Sequence, residues 1–429
     1  METKSAPRTN CTICIEFPTN YDETLNNPSA FRAVVDDIYK RHPELFPLEI
    51  AEGYELKEIR TSKKTAIKVR RILINGVSYT IRPSFVMPYM TGLVRDVETP
   101  LFLRKWSVPY WALAKAFGRN AMYWYRLETS LGRNSLVGTT VKSPDKLPMH
   151  LSADEKHTHL SGEKAYIPTV VGDGCILGVS VTESASQKDL EKAYGVFKEE
   201  ATNVQPDYSP DTVNTDGWKA TLGALKSLFP YTVLIACFLH IFISIRDRSR
   251  KKFKEIFEEA ASKLWDCYKA ETKASFSQRV RRLHEWARKS EIPTIMSDKI
   301  KKLRNNLPSF SIAYDFPNSH RTSNMIDRLM QRMDRYLFCT QYFHGKLDSA
   351  ISGIRGWALI HNFAPSNPYT VKVHDGLKSP AERMNGFRYH TKTGCKFSSF
   401  QHLWVGIVIA PQIRYNQKIS RNHITNLIM

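Results

Sequence analysis

Asp154, in LSADEKHT, and Asp216, in VNTDGWK, each close a short apolar run, 62 residues apart. If the two runs form neighbouring strands, both carboxylates reach one edge of a sheet. Carboxylates held together repel each other and need a cation. Hard oxygen ligands with vacant positions suit Mg2+ or Mn2+, which polarise a phosphodiester, activate an attacking water or hydroxyl and stabilise the leaving oxygen. A strand-end aspartate can equally be a helix cap or a turn former. Of the nearby acids, Glu155 should face away from Asp154 by strand alternation, and Asp173 sits in a Gly-Asp-Gly turn where a structural role suffices.

The elements that must position these acids follow from the pattern of apolar runs. Five runs read as strands: Met149 to Ala153, Ala165 to Val171, Cys175 to Val181, Thr212 to Thr215 and Val233 to Leu239. Helical stretches, Gln187 to Asn203 and Lys219 to Phe229, fall before and after the fourth. The order β-β-β-α-β-α-β is that of an RNase H-like domain, a mixed sheet with helices on its faces, in which the first and fourth strands are neighbours. From Arg246 to Leu307 the spacing turns helical, with Phe253, Ile256, Phe257, Ala260, Leu264, Val280, Leu283 and Trp286 on the apolar side. Arg246 to Arg304 holds eighteen lysines and arginines against nine acids, a basic face suited to phosphates.

Two further motifs stand downstream of Asp216: Cys237-Phe-Leu-His240, and RTSNMIDRLMQRMDR from Arg321 to Arg335. With the two aspartates they resemble the DDE-type transposases, particularly the Mutator-like group and related insertion-sequence enzymes. These families place a C-x-x-H element after the second acid and a T-[TS]-N-x-x-E segment on a later helix. The resemblance covers roughly Met149 to Phe387 and implies that Asp154, Asp216 and Asp327 are the metal ligands, holding two divalent ions. Asp327 stands where the family has glutamate. Being one methylene shorter, it requires a closer approach of its helix or a bridging water. An ion pair with Arg328 or Arg332 is the alternative role for Asp327, and Asp334 is the fallback acid. The resemblance also implies a helical insertion in the 111-residue interval between Asp216 and Asp327. Read on a strand, Cys237 and His240 face opposite ways, which argues against zinc and for a packing cysteine. His240 is then placed near the metals, in reach of the scissile phosphate. RGWALIHNFAPSNPYT and LKSPAERMNGF resemble the segment that follows the last acid.

Upstream, KKTAIKVRRILINGVSYTIRPSF alternates on both sides of Asn75-Gly76, the signature of a basic two-stranded ribbon. Pro100 to Gly132 reads as a helix-turn-helix, with Ala114 at the helix crossing, Gly118 in the turn, and Trp124 and Leu127 holding the second helix. That second helix, Asn120 to Thr129, would present Asn120, Tyr125 and Arg126 to the major groove while Arg119 reaches phosphate; an ordinary helical hairpin with a glycine cap is the competing reading. Pro28 to Lys40 is helix-like. Cys11 and Cys14 make half of a four-ligand zinc site, to which His42 could add, but no second Cys-x-x-Cys follows.

The 429 residues carry a net charge of +20 and are 42% hydrophobic, enough for sizeable cores and suited to a polyanionic partner. Seven cysteines, scattered apart from one pair, suit reduced thiols rather than a disulfide framework. Met1 to Asn10 has no apolar core of the signal-peptide kind, and the run Tyr231 to Ile245 is shorter than the ~20 residues of a membrane span. The sequence therefore predicts an α+β protein with seven regions: 1–50 of uncertain role, 51–99 with the hairpin, 100–148 with the helix-turn-helix, 149–245 and 309–387 as two parts of an RNase H-like catalytic domain, 246–308 as its helical insertion, and 388–429 as a basic tail. The expected function is that of a cytoplasmic, nucleoid-associated DNA transposase. It would act as a homodimer or larger assembly on double-stranded DNA, the element ends and their target, with no membrane partner. A catalytically inactive transposase-derived regulator and another RNase H-like endonuclease are the competing functions.

Overall fold

The computed structural model describes residues 12–388 apart from 18–19, 42 and 88–91. The first unit is a mixed four-stranded sheet covered by a helix. Its elements are β1 (Thr12–Ile15), α1 (Tyr21–Asn26), α2 (Pro28–Arg41), β2 (Glu55–Thr61), β3 (Lys68–Ile74) and β4 (Val77–Pro83), with strand order β1-β4-β3-β2. Asn75 and Gly76 both have positive φ, +44° and +74°, so the tight turn expected between β3 and β4 is present. The two-stranded ribbon, however, is only the middle of the sheet. β1 adds to it in parallel, and β2 escapes the sequence pattern because ELKEIRT is charged and its side chains are mostly exposed. Phe31, Val35 and Ile38, on one face of α2, pack on Ile13, Ile15, Ile72, Ile74 and Ile81. The border expected at residue 50 thus falls inside one core.

Next come four helices, α3 (Val94–Lys105), α4 (Tyr110–Phe117), α5 (Ala121–Leu131) and α6 (Leu136–Thr140), and then the main sheet. Its elements are β5 (His150–Leu160), β6 (Glu163–Gly172), β7 (Cys175–Val179), α7 (Gln187–Val204), β8 (Thr212–Thr215), α8 (Lys219–Leu228) and β9 (Val233–Ala236), the order read from the sequence. The strands lie as β7-β6-β5-β8-β9, and β5 runs parallel to β8 with Ser152 opposite Asn214, so the first and fourth strands are indeed neighbours. Several boundaries differ: β6 is longer at both ends, β7 stops at Val179 instead of Val181, and two more differences bear on the acids. β5 continues to Leu160, with β6 the only strand beside it after Ser152, which puts Asp154 inside the strand instead of at its end. β9 stops at Ala236, three residues early, because a helix begins at Phe238.

That helix, α9 (Phe238–Ser249), opens a helical block with α10 (Lys254–Tyr268), α11 (Lys273–Lys289), α12 (Thr294–Asn305) and α13 (Leu307–Ser311). Phe257, Ala260, Leu264, Val280 and Leu283 form its own core, with Met296, Ile300 and Leu303, while Ile256 stays at the surface. The chain then returns to the main sheet through α14 (Asn324–Cys339), α15 (Leu347–Phe363), α16 (Pro368–Val373) and α17 (Pro380–Asn385).

α15 is the central strut, buried without interruption from Gly353 to Phe363. It crosses α5 backbone to backbone: a Cβ on Gly132 would lie 1.9 Å from the Ser352 carbonyl oxygen, and one on Gly356 would lie 2.1 Å from that of Glu128. Asn362 donates to and accepts from the backbone of Ile176, satisfying an outer strand that would otherwise expose unpaired groups. Arg355 meets Glu200 of α7 at 2.5 Å, and Glu200 also accepts from the first amides of α6. Arg104 and Glu128, both buried, pair at 2.5 Å, with the guanidinium stacked over Tyr110 and near Tyr336. Helices α3–α6 therefore share a core with the main sheet, as parts of one packed body. No helix among the described residues is long and apolar enough to cross a membrane. The tail 389–429, Cys11 and His42 lie outside the described residues, while Cys14 is buried in β1.

Candidate metal centre

Three side chains from distant parts of the chain meet beside β5. One ligand atom each from Asp154, His240 and Asp327 lies within 4.8 Å of the others, the only such cluster of potential metal ligands among the described residues. Asp154 is mid-strand on β5, where its Oδ1 accepts from the Glu155 amide at 2.8 Å. Asp327 occupies the first turn of α14, and the Ser323 hydroxyl donates to its Oδ2 at 2.6 Å. The helix start therefore brings the Asp327 carboxylate within the 4.8 Å cluster. No ion pair to Arg328 or Arg332 engages it among the described residues.

His240 arrives by a route that strand periodicity did not give. Cys237 is the N-cap of α9 and His240 stands in its first turn, so residues three apart share a side instead of opposing each other. The expectation of a strand here failed because CFLHIFISI is apolar throughout, and a short apolar run does not separate buried strand from buried helix. Cys237 also fixes the geometry between helices. Its Sγ donates to the Ser323 hydroxyl at 3.2 Å and accepts from the Ser323 amide at 3.1 Å, tying the start of α9 to the start of α14. Phe238 N donates to Arg321 O across the same junction. Ser323 is therefore a positioning residue overlooked in the sequence; its place four residues before Asp327 was the available signal.

Asp216 is not within the 4.8 Å set. It follows β8, with Oδ1 accepting from Trp218 N at 2.8 Å around Gly217, whose φ is +85°. That is the turn-forming role available to any strand-end aspartate. It remains close enough to act on the others. Burial pushes the Asp154 carboxyl up to about 6, His240 opposes the rise, and the charges of Asp216 and Asp327 add to it. For His240 burial acts downward, but the Cys237 thiol beside it and the charges of Asp154 and Asp216 prevail and raise its pKa. The His240 Nδ1 is buried without a hydrogen-bond partner. Crowded carboxylates beside an unpartnered imidazole nitrogen are what a divalent cation would relieve, so the residues fit one. Carboxylate oxygen suits Mg2+ or Mn2+, and the imidazole shifts the preference towards Mn2+.

The other acids are occupied elsewhere. Glu155 points to the opposite face, as alternation requires, and accepts from Tyr194 and Thr221 at 2.7 Å each. Asp173 has positive φ in its turn, and Asp334 pairs with Lys156 at 2.7 Å.

The residues expected to read DNA divide in two. Arg119 and Arg126 are exposed, Arg119 having φ of +62° and lying over the Tyr123 ring. Asn120 caps α5, its side chain accepting from Tyr123 N at 2.7 Å, and Tyr125 is half-buried with its ring edge-on to Tyr110. Trp124 and Leu127 are buried as expected, and Ala114 packs against the same core. No family model matches this chain, and no curated protein does.

Proposed function

We propose that this protein is a DNA transposase of an insertion sequence, with an RNase H-like catalytic domain that cuts DNA at the ends of a mobile element and joins the freed end to target DNA. The observation that carries the reading is the convergence of Asp154, His240 and Asp327 beside Asp216. These acids lie on β5, just after β8 and in the first turn of α14, which supports a shared metal-dependent role. Asp154, Asp327 and His240 would hold one Mg2+ or Mn2+, with Asp216 reaching a second. When bound, the ions supply Lewis-acid polarisation of the phosphodiester and a lowered pKa for the attacking water or 3′-hydroxyl.

The chain's own part is orientation. Ser323 holds the Asp327 carboxylate, the Cys237–Ser323 link sets α9 against α14, and α15 keeps the helices behind the sheet in place. DNA is brought to the site by charge: Arg119 and Arg126 on the α4–α5 face, and the basic helices α9–α12. Two element ends must be held together, which requires a dimer or larger assembly on DNA, and DNA binding would keep the protein with the nucleoid.

The test is cleavage and strand transfer on the element's own flanking ends with Mn2+, using wild type, Asp154→Asn and Asp327→Asn. Wild type should cut and join. Each variant should bind the same DNA and lose at least about a hundredfold in rate, the loss expected when a ligand contributing several kcal/mol of charge stabilisation is removed. A second reading, a DNA-binding regulator without chemistry, is favoured by the turn-forming use of Asp216; tight end binding by wild type with no cutting would establish it. Cutting of branched DNA without joining would instead mark a structure-specific endonuclease.

A further inference from the structure

On the flank of α14, the helix that carries Asp327, lies a cleft of about 430 Å³ whose ionisable lining is entirely basic or imidazole. Lys105 at the end of α3, Arg328 and Arg332 on α14, His361 on α15 and Arg383 on α17 all face it, and no aspartate or glutamate lines it. Asn324, Arg328 and Arg332, four residues apart, form one stripe of α14; Ser323 and Asp327 form the adjoining stripe. The nearest acid acting on Arg383 is Glu382, and its carboxylate is held in the capping box at the start of α17.

Four cations without an acid are an unusual thing to place in a partly closed space. Lys105 is 4% exposed, and His361 is 2% exposed. Lys105 donates to the carbonyls of Ala364 and Pro365 at 2.8 and 3.0 Å, which uses two of its three N–H groups and places it at the C-terminal end of α15. That accounts for Lys105 but not for three arginines gathered around it. His361 Nε2 donates to Gly174 O, leaving Nδ1 as an acceptor facing the Arg332 guanidinium at 3.5 Å, so the ring is neutral here and offers Arg332 no charge. Arg383 spends one donor on the Ser366 hydroxyl. The mutual repulsion is felt throughout: burial, with the charges of Arg332 and Arg383, pulls Lys105 down to about 7, and burial with Arg335 and Arg328 lowers Arg332. Within the described residues no salt bridge engages Arg328, Arg332 or Arg383, whereas an anion with several oxygens could accept from several of these donors together.

We propose that this cleft is a phosphate-binding site in which Arg328, Arg332 and Arg383, backed by Lys105, hold one phosphate of a nucleic-acid backbone on the flank of the helix that carries Asp327. The preference for phosphate rests on the cleft alone. Only the source, a phosphodiester of DNA as opposed to free phosphate or a nucleotide, rests on the function proposed above. A strand gripped here would lie one stripe around α14 from Asp327, and would be fixed in position by a contact that reads no sequence.

The test uses the full chain in EDTA, so that the absence of metal-dependent chemistry leaves it unaffected. Binding of a fluorescein-labelled DNA duplex is measured across a salt series, and inorganic phosphate is titrated in a thermal-shift assay. The proteins are wild type, Arg328→Gln, Arg332→Gln and Arg383→Gln. Arg328 is exposed, so its variant folds even if a partly buried arginine proves necessary for stability. We expect each variant to weaken duplex binding about tenfold, to lower the slope of log K against log salt by about 1, and to lose the phosphate-induced rise in melting temperature. Loss of the phosphate response with duplex affinity unchanged would keep the phosphate site and assign it to a free phosphate. If folded Arg328→Gln and either other folded variant bind duplex and phosphate as wild type does, the proposal is overturned, whatever the cleavage assays show.

Discussion

Asp154 and Asp327 stand within ligand distance of His240, whereas Asp216 is engaged with the Trp218 amide, and this ranks the four residues. In calorimetric titration with Mn2+, Asp154→Asn and Asp327→Asn should abolish the first binding event, and Asp216→Asn should weaken it less. Equal loss in all three would mean that Asp216 turns inward when the ion binds. Lys105 gives a second residue-scale prediction. Its folded pKa, about 7, lies below the 10.5 of the free side chain, so the unfolded chain binds the extra proton between those values and stability rises with pH across that window. The cost of charging it is fully present below pH 7 and amounts to a few kcal/mol at about 1.4 kcal/mol for each pH unit. In phosphate-free buffer, urea unfolding of wild type against Lys105→Met should therefore move in favour of wild type from about pH 7 to about pH 10. The sequence showed Asp154 because an acid at the end of an apolar run stands out, and Asp327 only through the resemblance of its helix to a known motif. It did not show that His240 would be a ligand candidate, because that depends on a helix starting one residue after Cys237. The basic cleft was hidden more deeply, since its cations come from α3, α14, α15 and α17 and share no local pattern.

Among elements, the crossing of α5 and α15 is the least forgiving contact. Gly132 has an ordinary negative φ, so an alanine there strains nothing in its own backbone; it collides with Ser352 O. Gly132→Ala and Gly356→Ala should each cost about 3 kcal/mol in urea unfolding, the upper range for overpacking a rigid contact. Asn120→Ala, which removes only the cap of α5, should cost about 1 kcal/mol. If both glycine variants match wild type, the helices slide freely and the strut role of α15 is wrong. The strand and helix order of the main sheet was legible because β7, β9 and much of β6 are apolar runs and its helices keep a regular apolar stripe. β2 was not, since its charged side chains leave no alternation. The length of β5 was not either, since Lys156, His157 and His159 near its end are polar and β6 is the only strand beside them.

At the scale of the molecule the described residues form three cores: one within residues 13–81, one in the helical block 238–310, and a third that joins residues 87–229 to 326–384. A fragment ending at Met87 should unfold cooperatively by circular dichroism. A fragment spanning 94–148, cut at the border a helix-turn-helix suggests, should be unfolded, because Arg104, Glu128 and Leu131 are buried against α14 and α15. A cooperative melt of that fragment would restore the picture of a detachable DNA-reading module. The basic surplus that pointed to nucleic acid says nothing about these borders, because charge lies on surfaces and borders are set by what is shared inside. The order of the ligands along the chain has one more consequence. Asp154 and His240 leave the ribosome well before Asp327, with the helical block translated in between. A nascent or prematurely ended chain therefore lacks the third member of the cluster, so under the function proposed above cutting of DNA would begin only once the chain has been made through α14.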